Sequence, residues 1–278
     1  MDALSEAAFG DRPDLAVTAV PADPRSRWLA AVVLGGQGRY AAAATLLDGL
    51  RGAADPVLAA LAASTLASHR RQLGGHGAAR LLDAAALHRL AAAPAAVPAQ
   101  AWSDVLLGLA ADALGHGRFT EADRLLSRAR ALGDPGWRGA IRLAWVSAEV
   151  ALGRGRPGAA VPHAETAAGL AGAAGSVRHR IKSALVLGAA LATRSDPGDR
   201  KRANGLLADA RLAATDLGLL PLVWPCALLL AGLEPSAAVV HRRHAADALH
   251  TVLRRADPIG RRLAASSPWV PDLCALTG

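Results

Sequence analysis

The hexapeptide Gly153-Arg154-Gly155-Arg156-Pro157-Gly158 matches G-x-G-x-x-G, the glycine fingerprint that lets a backbone turn approach a dinucleotide pyrophosphate. That chemistry needs a strand before the glycines, a helix after them and an acidic residue about 20 positions on. The preceding run WRGAIRLAWVSAEVAL instead spaces Trp137, Ile141, Trp145 and Ala148 as a helix does, and no acidic residue stands near the expected offset. No nucleotide and no other cofactor is therefore expected. His241, His244 and Asp247 fall at i, i+3 and i+6 on one helix face, but they are too few for a metal and crowded by Arg242 and Arg243. Ser266 and Ser267 have no assignable base, and G-x-S-x-G, P-loop and H-E-x-x-H patterns are all missing, so the chain is expected not to be an enzyme. Arg242, Arg243, Arg254, Arg255, Arg261 and Arg262 make a basic end that could contact phosphates, although no helix-turn-helix or aromatic-interleaved basic strand accompanies them.

The glycine hexapeptide gains its meaning from the elements around it. Read as G-x-P-x-x-A from Gly155 to Ala160, it recurs as Gly38 to Ala43, Gly74 to Ala79, Gly117 to Ala122, Gly198 to Ala203 and, more weakly, Gly232 to Ala237. The glycines are 36, 43, 38, 43 and 34 residues apart, a quasi-regular period. Each copy is expected to end one helix with a left-handed glycine and start a second, whose Ala keeps the crossing thin. An apolar stripe follows, as in Leu46, Leu47 and Leu50 or Leu125, Leu126 and Ala129. Asp-Pro pairs at 23–24, 55–56, 134–135 and 196–197 read as unit starts, with Asp as N-cap and Pro at the first helical position. The spacing predicts helical hairpins at about 24–51, 55–92, 98–132, 134–173, 176–217 and 219–255. An acidic leader over 1–23 precedes them and a tail over 256–278 follows.

Composition agrees with this organisation. Ala, Leu and Arg dominate, and 52% hydrophobic with 19% charged residues excludes wholesale disorder. The net charge of +8 rests on arginine, the only lysines being Lys182 and Lys201, and Arg with Ala and Gly is also what a GC-rich genome favours. Two cysteines are too few for a disulfide framework. The N-terminal MDALSEAAFGDRPD lacks a signal-peptide layout, and the apolar run Leu219–Leu233 is short for a membrane span and holds Pro225. A cytoplasmic protein without a membrane partner is expected.

The units resemble tetratricopeptide repeats, whose period is 34 residues. The segment LLGLAADALGHGRFTEADRLLSRARALGDP, Leu106 to Pro135, carries the resemblance through Leu109-Ala110, Phe119, Ala122, Leu126, Ala129 and Pro135. The longer unit from Ser183 to Leu222 is similar to divergent repeats in sensor regions of large bacterial transcription regulators. The resemblance implies an all-α, right-handed superhelix of about six hairpins that binds a protein or peptide on the concave face lined by the first helices. Mapped onto that register, Arg138, Arg142, Trp145 and Glu149 of the fourth unit and Arg178 and Lys182 of the fifth lie on the groove side. Four cations, a Trp and a Glu would suit an acidic segment or a C-terminal carboxylate, with Trp145 as anchor. The Asn/Lys carboxylate clamp of part of that family is missing, since the one Asn, Asn204, falls in a second helix. The expected role is a regulatory adaptor. Alternatives are nucleic-acid association through the basic end and self-association through Leu219–Leu233, with Trp224 at an uncapped end.

Overall fold

The computed structural model describes residues 2–93 and 96–277. A chain this rich in Ala, Leu and Arg and poor in β-branched residues favours helix, and every regular element among the described residues is helical. A short α1 (Ala3–Phe9) leads into six antiparallel pairs among those residues. They are α2 (Pro24–Gly36) with α3 (Tyr40–Asp48), α4 (Pro56–Gln72) with α5 (His76–Ala91), and α6 (Ala99–Gly115) with α7 (Phe119–Arg130). Then come α8 (Gly136–Gly153) with α9 (Pro157–Ala173), α10 (Val177–Ala192) with α11 (Pro197–Asp216), and α12 (Leu220–Leu233) with α13 (Ala238–Arg254). The short α14 (Pro258–Ala265) and α15 (Leu273–Thr277) follow. The architecture is an all-α solenoid.

The local signals act as their chemistry dictates, with instructive exceptions. Gly38, Gly74, Gly117 and Gly155 turn between paired helices at φ of 75°, 72°, 68° and 68°, where a Cβ would be strained. The hexapeptide at Gly153 is thus a helix–turn–helix corner between α8 and α9. Gly198 and Gly232, expected to do the same, lie inside α11 and α12. In a chain so rich in Gly and Ala the six-residue pattern also arises within helices. Asp23, Asp55 and Asp196 cap α2, α4 and α11 with Pro next in line. Asp196-Pro197, however, opens the second helix of its pair, so these dipeptides mark helix starts rather than unit starts. At Asp134-Pro135 the helix begins one residue later than expected, at Gly136, whose N–H donates to Asp134 Oδ1 at 2.8 Å. The crossing alanines Ala43, Ala79, Ala122, Ala160 and Ala203 are all completely buried.

The core runs as clusters between neighbouring pairs, for example Leu106, Leu107 and Leu126 with Val146 and Val150. One cluster joins opposite ends of the chain. Tyr40 and Leu73 from the first two pairs pack with Leu249, Val252, Ala256, Ala264 and Val270. Beside it the Ala41 N–H donates to the Arg255 carbonyl at 2.8 Å. Arg70 donates both terminal nitrogens to the Asp257 carboxylate at 2.7 and 2.6 Å, and Asp257 also caps α14 through the Gly260 N–H. The solenoid therefore closes into a ring. The expectation of an uncapped last hairpin is corrected: Trp224 is partly buried, against the cluster that closes the ring. The N-terminal segment is docked too, with Ala7 and Ala8 in the core beside Trp28 and the Val177 N–H donating to the Gly10 carbonyl at 3.1 Å.

Candidate functional site: a cation-lined central cavity

The first helix of every pair presents side chains inward, and together they enclose a cavity of about 630 Å³. Trp28 comes from α2, Gln72 from α4, Asp104 from α6, Arg142 from α8, Arg178 from α10 and Trp224 from α12. Phe9 of α1 and Trp269 of the C-terminal segment complete the wall. Arg138, Arg142, Trp145, Glu149, Arg178 and Lys182 all line this one cavity. Helical spacing sets the four α8 residues on one face, and Arg178 and Lys182 follow on the adjacent α10.

Most of these groups are held by a partner one repeat away. Arg138 donates to Asp104 Oδ2 at 3.0 Å, and Arg142 donates to the same carboxylate and to the Asp104 carbonyl. Lys182 donates to Glu149 at 3.1 Å, and Trp145 Nε1 donates to Ser183 Oγ at 2.8 Å. His179 stacks on Trp145 at 5.4 Å and bonds Ser176 Oγ through Nδ1 at 2.8 Å. Burial, with the Arg178 charge next to it, holds the His179 pKa well below the ordinary value, so the ring is neutral. Asp104 is buried, which pushes its carboxyl up, but Arg138 and Arg142 more than reverse this and hold it below the usual carboxylate range.

Arg178 differs from the others. Among the described residues it has no carboxylate within ion-pair reach and no hydrogen-bond partner. Its side chain lies across Gly36, where a Cβ would stand 3.2 Å from Nε. Burial pulls its pKa below the ordinary arginine value, and the like charges of Arg138 and Arg142 add to the effect. Three guanidinium groups thus line the lumen, and Asp104 pairs with two of them. His69 on the same wall adds no charge, because burial drives its pKa to about 3.

A second polar cluster braces the wall. Arg71 donates to Asp83 Oδ2 at 2.5 Å and to Asp112 Oδ1 at 2.9 Å, and neither carboxylate reaches solvent. Asp83 is pushed up to about 7, first by burial and then by the Asp112 charge, against the opposing pull of Arg71. Gly108 provides the room, since a Cβ there would lie 2.3 Å from Asp83 Oδ2.

The sequence reading missed Asp104, His179 and the Arg71 cluster. Their signal is the repeat itself: Arg142–Asp104 and Trp145–Ser183 both span 38 residues, and Lys182–Glu149 spans 33. The other sequence candidates lie elsewhere. His241 bonds Glu234 at 2.7 Å, while His244 and Asp247 face solvent. Arg243, Arg254, Arg255, Arg261 and Arg262 are exposed, and Arg242 is partly buried. Among the described residues no helix is long and apolar enough to cross a membrane.

No protein-family model matches the chain, and no curated protein matches it in sequence. Solved structures do match in shape. One is a signal-transduction ATPase with numerous domains from Pyrococcus horikoshii, described as carrying a tetratricopeptide repeat sensor; it is 12% identical over 87% of this chain, with a TM-score of 0.46. The match covers 41% of that protein.

Proposed function

We propose that the chain is a non-catalytic binding scaffold that receives an anionic group in its central cavity and, as an adaptor or regulatory subunit, conveys that binding to another protein. The observation that carries this reading is Arg178, a partly buried guanidinium with no carboxylate in ion-pair reach among the described residues, facing the lumen next to two further arginines. Excess positive charge stripped of part of its hydration is costly unless an anion compensates it. Such an anion could be an acidic side chain, a C-terminal carboxylate or the head of a small molecule.

Arg178 is also the residue to test. Replacing Arg142 would leave Asp104 short of a partner, whereas replacing Arg178 breaks no internal pair. Immobilised wild type and Arg178→Glu are exposed to nuclease-treated lysate of the source cell, and eluates are analysed for proteins, peptides and small compounds. Material held by wild type and lost with Arg178→Glu supports the cavity as the working site. Equal retention by both baits overturns it. Retention of nucleic acid alone, indifferent to the substitution, moves the function to the exposed arginines after Arg242.

A further inference from the structure

The rest of the cavity wall bears on what such an anion would be attached to. That wall is mostly apolar and aromatic, with Trp28, Trp145, Leu107, Leu185 and Leu222 facing the lumen alongside the arginines. Several of the neutral polar groups among them are engaged already. Thr65 Oγ1 accepts from Trp28 Nε1 at 3.0 Å, Gln72 Oε1 accepts from the Tyr40 hydroxyl at 3.0 Å, and the Trp145 N–H is given to Ser183. An extended peptide brings one donor and one acceptor per residue and needs matching groups along its length. A volume of about 630 Å³ lies instead within the roughly 300–1,000 Å³ range of small-ligand sites.

We infer that the cavity's occupant is a small amphipathic acid, its carboxylate received by Arg178 with Arg138 and Arg142 beside it and its apolar body lying along Trp145, Trp28 and Leu185. This rests on reading the cavity as the working site and narrows the ligand class for it. The planar guanidinium fork of Arg178 suits a carboxylate bidentately. The anion relieves the mutual repulsion of the three arginines, while the aromatic wall takes up the chain or ring that follows it.

The probes are sodium decanoate, 1-decanol and a short apolar tetrapeptide with a free or an amidated C-terminus. Each is titrated into the full-length protein by calorimetry and tryptophan fluorescence. Decanoate is expected to bind, to bind more tightly than decanol, and to lose about 10- to 100-fold in affinity in Arg178→Gln, the range set by a lost charge-assisted pair. Arg178→Lys, which keeps the charge without the fork, is expected to fall between. Circular dichroism and melting of each variant show that the ring is intact. Decanoate and decanol binding alike, or an unchanged decanoate affinity in Arg178→Gln, overturns the inference. Binding of the free-acid peptide alone, dependent on Arg178, overturns the small-acid assignment and leaves the cavity as the working site. No binding by any probe, with lysate capture equal for wild type and Arg178→Glu, overturns both.

Discussion

A guanidinium keeps its charge at any physiological pH, so what surrounds it decides what it can do. Arg70 and Arg71 are satisfied by carboxylates and hold the fold, Arg138 and Arg142 share one carboxylate, and Arg178 has none among the described residues. The register of a helix face was enough to bring Arg138, Arg142, Trp145, Glu149, Arg178 and Lys182 together from sequence. It was not enough to show which of them were free, because Asp104 sits one repeat back and looks like an ordinary charge on a helix. Asp83 was illegible for a related reason, its partners Arg71 and Asp112 lying on helices other than its own. It carries a pH consequence. Its folded-state pKa of about 7 lies above the unfolded value of about 4. The native state therefore binds the Asp83 proton more tightly between those limits, and this group's contribution to stability falls as pH rises through them. His69 and His179, held neutral by burial, act the other way in the same window. Thermal melts at pH 5 and pH 7.5 are therefore expected to show the Asp83 contribution as a difference between proteins, Asp83→Asn gaining more than wild type on going to pH 7.5. An equal change in both would remove Asp83 as the source.

At the scale of elements, the pairs were legible wherever a residue type had one physical use. Asp before Pro starts a helix, and glycine at positive φ ends one. The same letters misled where composition supplied them freely, as at Gly198 and Gly232. The two kinds of glycine are separable by experiment. Gly155→Ala places a Cβ at φ 68° and is expected to cost about 1–2 kcal/mol. Gly232→Ala sits inside α12 with open space around it and is expected to stabilise by about 0.5–1 kcal/mol. Urea denaturation of both variants checks the pair of signs, and a destabilised Gly232→Ala would return it to the role of a turn.

The closure of the ring belongs to the whole molecule and left no periodic trace in the sequence. Arg70 and Asp257 are 187 residues apart, and nothing in the local pattern of either announces the other. Neighbour-to-neighbour packing alone would let terminal pairs of a solenoid fray independently. Here Asp257→Ala removes the partner of the buried Arg70 and the cap of α14 together. The expected loss is about 3–5 kcal/mol, the usual cost of stranding a buried charge. Hydrogen exchange should show α2–α3 and α13–α14 opening together in the variant, both ends of the chain at once. Protection retained at one end would mean that the pair does not hold the closure.

An open array of helix pairs can lengthen or shorten over generations by copying or dropping a pair, because each copy needs only the one before it. A closed array has no such freedom. A seventh pair inserted between α5 and α12 would carry Asp257 out of reach of Arg70 and part the backbone bond between Ala41 and Arg255. Descendants of this chain can change the residues facing the lumen one at a time, but the number of pairs around it is fixed by the circumference.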